Sequence, residues 1–242
     1  MLNSMTLDGL ACVGKTTVSR ILANNMGWKT FSTGLLYRVF AFECLEEKVD
    51  VSKQEEVLAY LFQTRPRIRL VDDKNSPGGT VIVVTRGENG AEKVFQQSEE
   101  CLQTDPIAQA ASIVSGVPEV RRLLFDIQRN IGLEENIILD GRDCGTVVLP
   151  EARMKVFLKA DPLVRARRKL GTSASEHQVR TLAESLSTRD TREMTRAISP
   201  LVPAKDAIIV DTTHMDIMEV VQLLEKEWEQ KREARFSGRE ER

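Results

Sequence analysis

Gly9-Leu10-Ala11-Cys12-Val13-Gly14-Lys15-Thr16 fits the pattern Gly-x-x-x-x-Gly-Lys-Thr at every fixed position, and the segments on either side decide how it reads. Met5 to Asp8 is a weak strand candidate, while Val18, Ile21, Leu22 and Met26 recur at helical spacing after Thr16. A glycine-bearing turn between a strand and a helix is the setting in which this pattern cradles polyphosphate. The bland alternative is a flexible glycine turn. In the cradle, the backbone of Gly9, Leu10, Ala11, Cys12, Val13 and Gly14 turns N–H groups inward, and the helix N-terminus adds positive potential. Lys15 meets the β and γ oxygens of ATP, and Thr16 or Thr17 can orient the Mg2+ that accompanies it. Cys12 reads as a small filler, because phosphoryl transfer needs no covalent intermediate.

Outward from the loop, Gly27 ends the first helix, a short strand follows at Trp28 to Phe31, and Thr33 can cap a second helix bearing Leu36, Val39, Phe40 and Leu45. Leu58, Leu61 and Phe62 suggest another helix. From Arg65 the pattern turns to β. Ile68, Leu70 and Val71 precede a turn at Asp72, Asp73, Asn75, Pro77, Gly78 and Gly79, followed by Val81 to Val84 and a second turn at Gly87 to Gly90. This is a small antiparallel insert. Helical spacing returns at Ile107 to Val114 and Val120 to Gln128, then Asn136 to Asp140 forms an apolar strand ending in a carboxylate. Further strands are expected at Lys155 to Leu158 and Ala207 to Val210. Helices are expected from Pro162, interrupted at Gly171 to Ser175, and around Ile217 to Trp228. Short apolar strands alternating with helices predict an α/β chain of P-loop NTPase type, three-layered around a central parallel sheet, with ligands at the carboxyl ends of the strands.

The chain has 242 residues, 41% of them hydrophobic, enough to bury a sizeable core as one unit with movable parts. Its formal charge of −2 gives no overall field to gather nucleic acid or an anionic membrane. Neither is expected as a partner. The loop begins at Gly9, leaving no room for a secretory leader, and no apolar run approaches a membrane span, so the chain reads as cytoplasmic. Cys12, Cys44, Cys101 and Cys144 are far apart, and His177 and His214 are the only histidines. That argues against a zinc site, a disulfide framework or a histidine-based centre, and for free buried thiols.

A phosphate loop alone does not separate a kinase from an ATP-driven switch. Arginine does. When the acceptor is itself a phosphate, no strong base is needed, but two polyanions must be aligned and their repulsion offset by fixed cations. Arg38, Arg121, Arg142, Arg165, Arg167, Arg168, Arg189, Arg192 and Arg196 fall on predicted helices or strand ends, where guanidinium forks can grip phosphate. For Arg165, Arg167 and Arg168 a solvated helix face is the competing reading.

Thr33-Gly34-Leu35-Leu36-Tyr37-Arg38, Ala111-Ser112, Asp140-Gly141-Arg142-Asp143-Cys144-Gly145-Thr146-Val147-Val148 and Arg196-Ala197-Ile198-Ser199-Pro200-Leu201 resemble bacterial cytidylate kinase, in that family's order. The similarity runs from the phosphate loop to Asp211-Thr212-Thr213. It implies transfer of the γ-phosphate of ATP to CMP or dCMP with Mg2+, by a monomer with a core, an acceptor-binding region enlarged by a β insert, and a mobile arginine-bearing helical lid. By that resemblance residues 1–37, 107–160 and 191–230 are core, 38–106 the acceptor region, 161–190 the lid, and 231–242 a disordered tail.

The resemblance assigns Thr33, Arg38, Ser112, Arg121, Asp143, Arg189, Glu193 and Arg196 to the acceptor, and Lys15, Arg38, Arg168 and Arg189 to catalysis. Cytosine offers a 4-amino donor and an N3 acceptor, so a carboxylate such as Asp143 and a donor such as Arg121 or Ser112 suit it. Uracil presents the reverse. Asp143 could instead merely pair with Arg142. Asp140 either holds a magnesium-bound water or forms a turn or cap. The chain departs from the family pattern at Thr16, at Gln103 in place of an arginine, at Glu193 in place of an aspartate, and in a short Ser/Thr-rich lid. The runners-up are a kinase for UMP, AMP or dTMP and, outside catalysis, an ATP-binding switch.

Overall fold

Ser4, Thr6 and Asp8 alternate with Met5 and Leu7, a pattern that suits a strand with one wet face, yet every residue of Ser4–Gly9 is buried in the computed structural model. That structure describes residues 3–72, 80–85, 92–96 and 100–237. In chain order the elements begin with β1 (Ser4–Gly9), α1 (Lys15–Met26), β2 (Lys29–Ser32), α2 (Gly34–Glu46) and α3 (Gln54–Thr64). β3 (Arg67–Asp72), β4 (Thr80–Thr85) and β5 (Glu92–Gln96) follow, then a 3-10 turn (Glu100–Gln103), α4 (Asp105–Val114) and α5 (Pro118–Gly132). The chain continues through β6 (Ile137–Gly141), a π-helical turn (Cys144–Val148), β7 (Met154–Lys159), α6 (Pro162–Leu170), α7 (Glu176–Thr195), β8 (Ile208–Asp211) and α8 (Ile217–Ser237).

These elements divide into two compact units. The first holds Met1–Ser32, Gly132–Thr195 and Ser199–Arg242. Its five strands lie in the order β2-β6-β1-β7-β8, every neighbouring pair parallel. From β1 the chain moves to one side of the sheet, returns through β6 and crosses to β7, so the direction of travel reverses beside the central strand. A crevice at the carboxyl ends of the strands results, where ligands bind in such sheets. Met5 and Leu7 face a core with Val18 and Leu22 of α1 and Val220, Val221 and Leu224 of α8. The polar side of β1 is covered by the π-helical turn, which comes so near that a side chain at Gly145 would lie 2.8 Å from Thr6 Oγ1.

α8 runs to Ser237, beyond Lys231, where the sequence suggested a disordered tail. Two contacts explain the extension. Trp28 and Trp228 meet edge to face at 4.7 Å, and Arg153 lies over the Trp228 ring while donating to the Lys231 carbonyl at 3.1 Å. Residues 238–242 lie outside the described part. Among the described residues no helix is long and apolar enough to cross a membrane.

The second unit comprises Thr33–Ile131 and Arg196–Ile198. α2 packs on α4 because Ile107, Ala108, Ala110, Ala111 and Val114 are all buried, and the alanines let the helices approach closely. The expected boundary at residue 107 is therefore corrected: α4, and α5 as far as Ile131, belong with α2. The boundary expected at residue 190 also fails as a structural break, since it falls inside the continuous helix α7. The insert is a three-stranded antiparallel sheet in the order β3-β4-β5, with Ile82, Val83 and Val84 of the middle strand buried. Phe95 of β5 stacks edge to face on Phe42 at 5.6 Å, and Lys93 donates to the buried Glu43 at 2.9 Å. The predicted turn residues Asp73, Asn75, Pro77, Gly78 and Gly79, and Gly87 to Gly90, lie outside the described residues; Asp72 closes β3. Thr33 precedes α2 with helical backbone angles and makes no side-chain capping bond to it, contrary to expectation.

Truncating a fully buried contact between α8 and the sheet leaves a cavity that the neighbours fill only in part. Leu224→Ala is expected to destabilise the chain by about 2–5 kcal/mol in chemical denaturation. Ile209→Ala, on the edge strand at 55% exposure, should stay within about 0.5 kcal/mol of the parent.

Candidate active site

At the carboxyl end of β1 the chain cannot carry a side chain: a Cβ on Gly9, at φ 147°, would lie 2.0 Å from the Leu158 carbonyl oxygen of β7. The loop leaves the sheet there and re-enters a helix at Lys15, with Gly14 as a left-handed cap that has no side chain to offer the first amides of α1. Those amides are the groups that receive an anion at a helix start. The sequence places Gly9 to Thr16 in this role, and the structure builds the expected strand, loop and helix. Ala11 and Val13 are buried, Cys12 is part-exposed with φ 56°, and none of the four cysteines is in a disulfide. Cys101 is exposed, so not every thiol is buried as expected.

Lys15 is buried, and its ammonium donates to the Gly9 and Leu10 carbonyls at 2.9 and 2.7 Å. Burial, with the nearby Arg142 guanidinium, lowers its pKa to about 7 against the opposing pull of Asp140 and Glu193. Asp140 lies within β6 and accepts from Thr16 Oγ1 at 3.3 Å, Ser19 Oγ at 3.1 Å and Ser32 Oγ at 2.9 Å. These bonds replace the turn-or-cap reading. Burial raises its pKa, while the Lys15 charge and the three hydroxyls work in the other direction. Thr17 is exposed, so of the two loop threonines it is Thr16 that the structure brings to this carboxylate.

On the other side of β1, Asp8 accepts from the Cys144 and Gly145 amides at 2.8 and 2.7 Å. Burial lifts its pKa to about 6 despite these bonds, and the like charge of Asp143 adds to the rise. Asp8 thus anchors the π-helical turn at whose start Asp143 stands, buried, with its carbonyl accepting from the Val147 and Val148 amides at 2.9 and 3.1 Å. Sequence reasoning missed Asp8, although a carboxylate in a buried strand is itself a signal.

Glu193 joins two arginines of this unit. Arg142 Nε donates to Oε2 at 2.5 Å and Arg189 Nε to Oε1 at 2.8 Å. Burial opposes its charge, yet the Arg142 and Arg189 guanidiniums outweigh burial and hold the carboxyl far below the usual range. Its oxygens therefore serve to orient the two cations. Arg142 pairs with Glu193, which leaves the alternative of a simple Arg142–Asp143 pair without support.

The arginines of α6 divide three ways. Arg165 is 1% exposed and bonded to Asp190. Arg167 pairs with Glu176 at the surface. Arg168 donates to Thr212 Oγ1 at 3.0 Å and to the Thr212 and Met215 carbonyls. Expected as a catalytic lid residue, Arg168 instead ties down the segment after β8. That segment borders a cavity of about 520 Å³ lined by Leu10, Lys159, Asp161, Asp211, Thr213 and His214.

In the second unit, the expected acceptor residues gather around one hydroxyl that the sequence did not single out. Ser115 Oγ accepts from Arg196 Nη1 at 3.0 Å and donates to the Ser112 carbonyl at 2.9 Å, and the Ser115 carbonyl accepts from Arg121 Nη1 at 3.2 Å. The Arg121 guanidinium also lies 5.4 Å from the centre of the Tyr37 ring. Arg38 Nη1 donates to the Leu102 carbonyl at 2.6 Å. Ser112 and Thr33 are buried.

Comparison with known proteins identifies the family. The family model described as cytidylate kinase matches residues 5–230. A cytidylate kinase of Caldicellulosiruptor saccharolyticus is 35% identical over 90% of this chain and 92% of its own. One from Limosilactobacillus fermentum is 34% identical over 90% and 91%, and one from Desulfitobacterium hafniense 31% over 90% and 88%. With the family model matched from residue 5 to residue 230 and near-complete coverage on both sides, the chain belongs to the cytidylate kinase family.

Proposed function

We propose that this enzyme transfers the γ-phosphate of ATP to CMP or dCMP, giving ADP and CDP or dCDP. The observation that carries the reading is the buried Lys15, at the start of the helix that follows the glycine-bearing loop, in the same unit as the oriented Arg142–Glu193–Arg189 cluster. Catalysis of this kind is positioning and charge stabilisation, with no covalent intermediate. The amides after Ala11 hold the triphosphate, those of Leu10 and Ala11 being bonded to Leu158 and Asp190; Lys15 exchanges its carbonyl partners for phosphate oxygens, and the cavity beside Leu10 suits the adenine ring. Thr16 and Asp140 offer hard oxygen donors that fit Mg2+, which would neutralise charge on the β- and γ-phosphates. Arg38 and Arg189 are assigned to the acceptor phosphate, and Thr33, Ser112, Arg121, Asp143, Glu193 and Arg196 to its base and ribose. Asp143 accepts from the cytosine amino group; Glu193 acts through the arginines that it aligns. Within residues 161–190, Arg168 joins catalysis only if its bonds to Thr212 and Met215 are released. The family resemblance further implies a cytoplasmic monomer that works on free nucleotides.

A coupled assay with CMP, dCMP, UMP, AMP and dTMP is expected to favour the cytidine nucleotides by about 10²-fold or more in kcat/KM. Equal turnover of UMP and CMP would overturn the base assignment. Lys15→Ala should lower transfer by about 10²–10³-fold with an unchanged far-UV spectrum, and near-normal activity would remove Lys15 from the mechanism.

The depressed pKa of Lys15 makes donor binding depend on pH. At pH 8 a lysine of pKa about 7 is mostly neutral, and a triphosphate beside it restores the charge, so binding takes up a proton. Affinity for Mg·ATP is expected to weaken as pH rises above 7. Calorimetry at pH 8 in buffers of different ionisation heat should show uptake approaching about one proton per site. Zero uptake would show that Lys15 is already charged before the nucleotide arrives.

A further inference from the structure

The Ala11 backbone in the phosphate loop is held on both sides, at its amide and at its carbonyl. Its amide donates to Asp190 Oδ1 at 3.0 Å, and its carbonyl accepts from Arg165 Nη1 at 2.8 Å. The same guanidinium donates to Asp190 Oδ2 at 2.6 Å and, through Nε, to the Ala160 carbonyl at 2.9 Å. The pair is almost fully out of water, with side-chain exposures of 2% for Arg165 and 7% for Asp190. The Ala11 side chain sits in an apolar seam with Ala166 of α6 and Val179, Ala183 and Leu186 of α7.

The next residue explains why such a grip is needed. Cys12 has φ 56°, a left-handed conformation that a residue with a Cβ adopts only when its surroundings enforce it. On the far side, the Leu10 amide donates to the Leu158 carbonyl at 3.2 Å. The loop is thus pinned to the sheet at Leu10 and to α6 and α7 at Ala11, and Cys12 turns immediately afterwards toward Gly14 and Lys15.

We propose that Arg165 and Asp190 are a positioning pair for the phosphate loop. By gripping the Ala11 backbone at both its amide and its carbonyl they hold the curvature that aims the following amides at the triphosphate. They act on the affinity for the phosphate donor and not on that for the acceptor. Both work through Ala11, so neither is a catalytic residue. Naming ATP as the donor rests on the function proposed above.

Two variants separate positioning from plain structural support. Asp190→Asn keeps an oxygen for the Ala11 amide but removes the charge facing Arg165. The double variant R165M/D190L replaces the pair with apolar chains, an exchange that often leaves stability unchanged or improved. Mg·ATP affinity is measured by calorimetry without acceptor, the melting temperature by circular dichroism, and KM for CMP in the coupled assay. Both variants are expected to bind Mg·ATP about tenfold or more weakly, with KM for CMP within about twofold, even where R165M/D190L melts near the parent. Recovery of parental Mg·ATP affinity in R165M/D190L along with its melting temperature would show support only and overturn the proposal. Should the double variant fail to fold, D190N decides, and Mg·ATP affinity within about twofold of the parent overturns the proposal. Because binding is read without CMP, a parent chain that binds Mg·ATP yet forms no CDP would count against the kinase reading alone.

Discussion

Asp8, Lys15, Asp140, Arg165, Asp190 and Glu193 are each more than nine-tenths buried, and all lie in the unit that carries the phosphate loop. An ionised group removed from water and left alone costs several kcal/mol, roughly, so each must be met by directed partners. The partners found here are mostly parts of the site itself: loop carbonyls for Lys15, turn amides for Asp8, and hydroxyls of α1 and β2 for Asp140. Removing one member leaves another charge exposed to the same penalty. The site is therefore held in shape by the same desolvation that tunes it.

This coupling also sets the chemical character of the groups. Lys15, whose pKa burial and the nearby Arg142 lower to about 7, is only partly protonated near neutral pH, whereas Glu193 between two guanidiniums stays charged. A polyanion entering such a place meets one cation that its own charge must complete and others already fixed. Asp8, which bonds the π-helical turn from below, transmits the position of β1 to the turn that presents Asp143. Residues far apart in sequence thus share one frame through short contacts to a single strand.

Much of this was legible in the chain. The loop motif, the strand ending at Asp140 and the β insert after Arg65 carry local signals, in glycine spacing, apolar runs and turn residues, and each appears where those signals put it. What escaped depends on contacts between distant segments. Asp8 alternates with apolar neighbours as it would on a wet face, and only the turn above it shows that the face is dry. Arg165, Arg167 and Arg168 form one basic run, yet helical rotation gives them different surroundings: a buried carboxylate, a surface glutamate, and carbonyls of another loop. Ser115 has no motif at all and matters because three elements converge on it. The length of α8 rests on Arg153, 78 residues before the carbonyl that it holds.

The aromatic pair that secures α8 has a spectroscopic corollary. Both tryptophans of the chain, Trp28 and Trp228, belong to the first unit, and both tyrosines, Tyr37 and Tyr60, to the second. Each unit carries its own chromophore. Indole emission excited at the red edge follows the parallel sheet and its C-terminal helix and is blind to loosening around α2 and α3. Phenolic near-ultraviolet dichroism reports the converse, so the two signals resolve stepwise from concerted melting without any label.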